Sequence, residues 1–349
     1  MKLILAVILL LFIHASAFGA VILQYHHVSN TAPKNTSITP TQFEAHLTYL
    51  KEHNFNVVPL SQIIEKIKNQ QPIKDKTVAI TFDDAYVDIL NHATPLLDRF
   101  GYPYTIFVNP DTINQNFPSN LSWSQLKPLA DKGVIIANHG FDHSSVIRGE
   151  NNLPQAQWLA KETKLLLKAE SMIKEKTGQS WRYYAYPYGE YDPEIQNWVR
   201  ENDFIAFSQQ SGAVGLYTDL TSVPRFPASM PYDEIESLRD KLNSLPLTIQ
   251  LKGNNTETIV QHKQVSKLSF TVEVDDFNKS DFNCYISGLG KQKIKWQDKN
   301  YVTIHFNSHL PTGRVRCNCT AASISKPGRF YWYSKPWFVL EEDGGWYPL

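Results

Sequence analysis

Val78-Ala79-Ile80-Thr81-Phe82-Asp83-Asp84 is an apolar run that ends in two adjacent carboxylates. Residues 78–80 read as a buried strand. Charge at the end of such a strand is costly unless it is paired or metal-bound. Polar residues at the C-terminal ends of strands in α/β proteins read as site residues. A plain helix cap is the competing reading, because Asp caps helices well. The pair alone leaves both open.

Working outward, strands and helices alternate. Residues 21–27 read as a first strand ending in His26 and His27. Residues 41–53 read as a helix through Phe43, Leu47 and Leu50, and residues 55–60 as a second strand. Ser61 is expected to cap a helix carrying Ile63, Ile64 and Ile67. After the opening strand, a helix from about Tyr86 passes through Ile89, Leu90, Leu96 and Leu97 and stops at Gly101. Further strands are expected over 104–108, 133–137, 183–186 and 204–207, with a short eighth over 222–226. Helices are expected over 123–131 and 154–176, and from Asp192-Pro193 onward. Such alternation implies parallel βαβ units, and seven or eight of them favour a closed (β/α) barrel over an open sheet. From Leu247 to the end the pattern is short alternating segments separated by Asn, Gly and Asp, which reads as a β-sandwich. The expected organisation is α/β, with a barrel over residues 18–245 and a β-sandwich over 246–349.

The 349 residues suit two domains, at roughly 150 each. Lys plus Arg equals Asp plus Glu, 34 each, so no global charge points to nucleic acid or an anionic membrane. Met1-Lys2, the apolar run over 3–13 and Ala15-Ser16-Ala17 have the form of a cleaved secretory signal over residues 1–17. That run falls short of the about 20 residues that span a bilayer. An exported protein, periplasmic or extracellular, with no transmembrane segment after cleavage, is the expectation. Export also permits a disulfide among Cys284, Cys317 and Cys319. Cys317 and Cys319 share a strand face, so one of them pairs with Cys284; the sequence does not say which.

Two more clusters end predicted strands. His139 and His143 stand four apart, a spacing that brings two imidazoles together on one helical turn. Two His and one carboxylate with open positions form a catalytic metal arrangement. Tyr186-Pro187-Tyr188-Gly189 makes a rigid loop able to offer a sugar-stacking ring and an oriented backbone N–H. All three clusters should converge on one barrel mouth.

Together, Thr81-Phe82-Asp83-Asp84, His139-x3-His143 and Tyr186-Pro187-Tyr188-Gly189 resemble the polysaccharide deacetylase family, carbohydrate esterase family 4. The resemblance covers roughly residues 20–245 and implies a distorted (β/α)7 barrel. It implies Asp83 as general base, and Asp84, His139 and His143 as ligands of one divalent metal ion, commonly zinc. It implies the Tyr188 N–H as an oxyanion donor and Tyr186, Pro187 and Tyr188 as substrate contacts. The family's closing strand, whose His is the general acid, is missing between Phe207 and Pro246. Leu23-Gln24-Tyr25-His26 looks like that element moved to the front. This is similar to the permuted subgroup that deacetylates poly-N-acetylglucosamine, and it assigns His26 as general acid, with His27 second. Ala185 stands where many members carry an Arg that pairs with the base; Arg225 is the expected replacement, Arg182 the runner-up. The implied function is metal-dependent removal of N-acetyl groups from an amino-sugar polymer such as poly-N-acetylglucosamine, chitin or peptidoglycan. The alternatives are an O-acetyl esterase and a non-catalytic glycan-binding protein. His305, in the sandwich, is read as a structural strand residue. The late aromatics, Phe330 to Tyr333 and Trp337-Phe338, are divided between core packing and sugar stacking.

Overall fold

A computed structural model of the chain describes residues 19–149, 153–251 and 253–349. The expected signal over residues 1–17 lies outside the described residues. Among the described residues, no helix is long and apolar enough to cross a membrane.

One parallel sheet organises the first part. Its strands run in the order Phe226–Pro227, Ala20–Tyr25, Thr77–Phe82, Tyr104–Val108, Ile135–Asn138, Tyr183–Ala185 and Ile205–Phe207. The short Asn56–Val57 strand pairs alongside the start of Thr77–Phe82. The sheet curls until its edges nearly meet: Val223 bridges Phe207, and three residues later Phe226 pairs with Leu23. A single stretch, 223–227, therefore touches both edges.

Both faces of the sheet are buried, as parallel strands covered by helices require. Alternate residues go to different cores. Val21, Leu23, Val78, Ile80 and Phe82 pack into one cluster with Phe43, Leu47 and Leu50 of the Pro40–Glu52 helix. Ala20, Ile22, Ala79, Phe107, Ala137, Ala185 and Phe207 belong to another. This alternation decides where Asp83 goes, because it continues the Ala79–Thr81 face.

Several local expectations shift. The second strand shrinks to Asn56–Val57, because Pro59 interrupts it and takes the N-cap position expected of Ser61. The helix expected from Tyr86 starts later, as a π-helical stretch Ile89–Ala93 running into Thr94–Phe100 and ending at Gly101, whose φ of 68° only glycine adopts freely. Asp192 caps the Pro193–Glu201 helix through a side-chain bond to Ile195 N.

From Ser244 onward the strands form two other sheets, one of six strands and one of four. The change comes two residues before the expected boundary, because Ser244–Pro246 already pairs with Phe330–Val339. Residues of both sheets share one apolar core, including Phe270, Val272 and Ile304 from one and Ile286, Val315 and Trp337 from the other. Cys284 stands opposite Cys319 in register and is bonded to it, leaving Cys317 buried and free. His305 is an exposed strand residue opposite Lys267 and Lys293.

Candidate active site

Asp83 ends the Ala79–Thr81 face and turns into the curl of the sheet, fully buried. Gln24 lies opposite Thr81 in register and points the same way, and its Nε2 donates to Asp83 Oδ2 at 2.7 Å. Two residues on, His26 keeps that orientation, with Nε2 4.0 Å from Asp83 Oδ2. From the closing stretch comes Arg225, also fully buried. Its Nη1 and Nη2 donate to the two Asp83 oxygens at 2.7 and 2.8 Å, its Nε donates to Ser208 O at 3.1 Å, and its guanidinium lies over Phe107. A planar fork matched to a carboxylate is the strong form of this pair. Burial pushes the Asp83 carboxyl up, but the Arg225 charge, with those of the nearby histidines, outweighs it and holds the group at about 2. Burial also lowers His26 below the ordinary imidazole value, against the opposing pull of Asp83 and Asp84.

Asp84 follows the strand with φ 69°, and Ala85 with φ 53°. The Asp84 carbonyl is held by Asn120 Nδ2 at 2.9 Å and that of Ala85 by Leu121 N at 2.8 Å. This turn separates the two carboxylates: Asp83 meets Arg225, while Asp84 Oδ1 faces His139 Nε2 at 3.4 Å and His143 Nε2 at 3.3 Å. The two histidines are not on a helical turn as their spacing suggested. Asn138 Oδ1 accepts from Gly140 N, Gly140 has φ 80°, and the loop returns His143 in the left-handed region at φ 62°. The imidazoles meet edge to face, 4.9 Å between centres.

Donor atoms of Asp84, His139 and His143 lie within 4.8 Å of one another. His139 Nδ1 donates to the Ala185 carbonyl at 2.8 Å, which turns Nε2 toward the cluster as the atom that would face a cation. Burial, then the charge of His139, lowers His143 to about 4, so it is neutral near pH 7. An oriented imidazole, a neutral one and a carboxylate fit a divalent cation with open positions. The other trio of close donors, Cys284, Cys317 and Cys319, is closed by its disulfide.

Residues 187–189 form a single 3-10 turn in which Tyr188 has φ 59° and places its ring 4.6 Å from that of His143. Pro187 is buried and packs toward Gly140. Tyr186 does not fit its expected role as a substrate contact. Its ring is fully buried against Tyr184 and Tyr191, and its hydroxyl donates to Thr221 O. Arg182 lies apart, bonded to Asn202 O, and His27 faces away from Asp83, bonded to Asp88 at 2.6 Å and stacked on Tyr86. Gln24 is the residue that sequence reasoning passed over, although its place two residues before His26 put it on the same face. A cavity of about 350 Å³ lined by Gln210, Tyr217, Trp332 and Lys335 lies elsewhere, with none of the Asp83 or Asp84 cluster in its walls.

Residues 70–206 match the family model described as polysaccharide deacetylase. This segment belongs to the polysaccharide deacetylase family. Among curated relatives, a Staphylococcus epidermidis poly-beta-1,6-N-acetyl-D-glucosamine N-deacetylase is 26% identical over 232 residues, 60% of this chain and 79% of that protein. A Bacillus subtilis relative named for polysaccharide deacetylation is 28% identical over 173 residues, 50% of this chain and only 58% of its own length. Among solved structures, the Streptococcus pyogenes deacetylase PplD has a TM-score of 0.57 at 21% identity, covering 65% of this chain and 99% of its own. IcaB from Ammonifex degensii has a TM-score of 0.55 at 24% identity, covering 63% and 96%. These likenesses speak to the fold: the curled parallel sheet is one that solved deacetylases share.

Proposed function

We propose that this protein is an exported, metal-dependent N-deacetylase acting on an N-acetylated amino-sugar polymer, with poly-N-acetylglucosamine the first candidate substrate. The observation that carries the reading is the side-by-side placement of two differently committed carboxylates. Asp83 is clamped by Arg225 and Gln24, and Asp84 is turned onto two imidazoles. A glycan-binding module has no need of a buried base beside a cation site. The polymer is suggested by the name of the staphylococcal relative, and export by the leader-like residues 1–17. The finer fold reading is a distorted (β/α)7 barrel carrying a β-sandwich.

Asp84, His139 and His143 would hold the cation, zinc by preference of two imidazoles and one carboxylate. When bound, such an ion polarises an amide oxygen and acidifies water. Asp83, ionised at neutral pH, takes the proton from the attacking water, a contribution of about 10²–10⁴-fold. Arg225 and Gln24 fix its rotamer and keep it from turning toward Asp84. The Tyr188 N–H donates to the developing oxyanion. His26, with Nε2 4.0 Å from Asp83 Oδ2, takes that proton on from Asp83 and delivers it to the leaving amine. Products are acetate and a free amine on the sugar.

The test is acetate release from poly-N-acetylglucosamine, chitin oligosaccharides, peptidoglycan and an O-acetylated glycan, with and without zinc. Asp83→Asn should keep its metal and lose at least about 10²-fold in kcat. Full activity in a metal-loaded Asp83→Asn protein would overturn the base assignment. Release from the O-acetylated glycan alone would replace the amidase reading with an esterase.

A further inference from the structure

Three contacts reach from the C-terminal region onto the residues that follow Pro187. Arg314 Nη1 donates to the Tyr188 carbonyl at 3.2 Å, the Tyr347 hydroxyl to Glu190 Oε1 at 2.8 Å, and Thr258 Oγ1 to the Tyr191 carbonyl at 2.5 Å. Glu190 is their centre. It is fully buried, and its carboxylate also accepts from Ser145 Oγ at 2.7 Å and from Arg148 Nε and Nη2 at 2.6 and 2.5 Å. An ionised carboxylate offers about four acceptor sites, so these four donors fill it. Arg148 in turn donates through Nη1 to the Tyr347 carbonyl at 2.6 Å, with its guanidinium 4.2 Å from the Tyr347 ring centre and 4.8 Å from that of Trp346.

The grouping matters because of where its members sit in the chain. Ser145 and Arg148 lie on the loop that follows His143. Glu190 lies on the loop that follows Tyr188. The end of the chain therefore ties together the two loops that bring His143 and Tyr188 to the site. His143 and Tyr188 are both held at positive φ, 62° and 59°, a conformation that persists only where the surroundings impose it. The turn over 187–189 is three residues long. The late aromatics, by contrast, are occupied in packing. Tyr331, Trp337 and Phe338 are buried, and Trp332 stands edge-on to Phe226, 5.3 Å between centres.

We propose that the C-terminal region acts as a clamp on the active-site loops, with Tyr347 and Arg314 as positioning residues for the Tyr188 N–H and for His143. The proposal rests on the deacetylase reading for its effect on rate, but the clamp itself is independent of it. The test uses the full chain with Tyr347→Phe, Arg314→Ala and Arg314→Lys. In Tyr347→Phe and Arg314→Ala, kcat for acetate release should fall about tenfold with KM changed less than about twofold, because orientation and not binding is lost. Arg314→Lys, which restores a donor, should recover most of the rate. Hydrogen exchange over residues 141–148 and 186–191 should quicken in Tyr347→Phe, and zinc should be lost to a chelator sooner. A lowered unfolding midpoint with unchanged kcat, exchange and zinc retention in both variants would show a merely structural tail and overturn the clamp. If the wild type releases no acetate from any substrate, the deacetylase reading fails; loop exchange in Tyr347→Phe then decides the clamp alone, quickening supporting it and no change overturning it.

Discussion

Arg225 meets Asp83 through two parallel N–H···O bonds of 2.7 and 2.8 Å, with neither side chain exposed. The two are 142 residues apart in the chain, and the pair forms only because the closing stretch of the sheet brings position 225 beside the Thr77–Phe82 strand. Removing the cation leaves a buried carboxylate without a counter-charge, which costs about 3–5 kcal/mol. Arg225→Met should therefore lower stability by that order, read by denaturant unfolding. It should also move the acid limb of activity. With Arg225 present Asp83 stays ionised down to about pH 2. Without it burial dominates, the pKa rises, and the base is lost by protonation at a higher pH. An acid limb of kcat/KM that stays in place in Arg225→Met would show that Asp83 is not the group whose ionisation limits the rate.

The candidate cation site makes a separate prediction, about stability. Asp84, His139 and His143 come together only in the fold, so an ion bound there stabilises it by mass action. Zinc at about a hundred times its Kd should add about 2.7 kcal/mol to wild-type unfolding. His143→Ala, which removes a partly exposed ligand, should abolish most of this gain while leaving the metal-free protein near wild-type stability. An equal zinc effect in both proteins would place the ion elsewhere.

What could be read of this candidate site from the sequence came mostly through the family resemblance carried by Thr81-Phe82-Asp83-Asp84, His139-x3-His143 and Tyr186-Pro187-Tyr188-Gly189, with strand period deciding only which way a side chain faces. Strand alternation sent His27 to the face opposite His26, where it meets Asp88, while His26 itself came from the resemblance and lies beside Asp83. The same alternation held for Cys317 and Cys319. What resisted was backbone that follows no period. His139 and His143 meet through a loop with two left-handed residues, Gly140 and His143, which the spacing disguised as a helical turn. Tyr186 looked like a site aromatic because of its neighbours, but it stands where the ring turns inward to Tyr191. The Glu190, Arg148 and Tyr347 grouping joins three distant segments, and no local pattern announces such a meeting.

His46 gives the fold a titration outside the site. It is fully buried, accepts at Nδ1 from the Tyr25 hydroxyl at 2.9 Å and donates from Nε2 to the Asp233 carbonyl at 2.7 Å. Both bonds suit the neutral ring, and burial lowers its pKa from 6.5 to about 4. Below pH 6.5 the unfolded chain takes a proton that the fold refuses, so stability is lost as pH falls from 6.5 toward 4. Over that window the loss from this group is on the order of 3 kcal/mol, at 1.36 kcal/mol per pH unit. His46→Gln, which bonds without titrating, should flatten that part of the curve when unfolding is measured at pH 7 and pH 4.5. A variant as acid-sensitive as the wild type would move the cause to another group.

The cysteines of the C-terminal region give a chemical test of its register. Cys284 and Cys319 are bonded across neighbouring strands, and the Cys317 sulfur lies 3.9 Å from that of Cys319. Burial pushes the Cys317 thiol up to about 12, and the thiolate is the reactive form. Iodoacetamide at pH 8 should leave the native protein unmodified, and on unfolding without reductant it should label Cys317 alone, read by peptide mass spectrometry. The bond closes a separation of 35 residues, and its reduction should lower stability by about 3–4 kcal/mol on the loop-entropy scale. Label on Cys319 in the unfolded, unreduced chain would mean that Cys284 pairs with Cys317. Since Cys317 lies two residues along the strand, the register of the 313–322 strand against 283–286 would then be wrong by two residues.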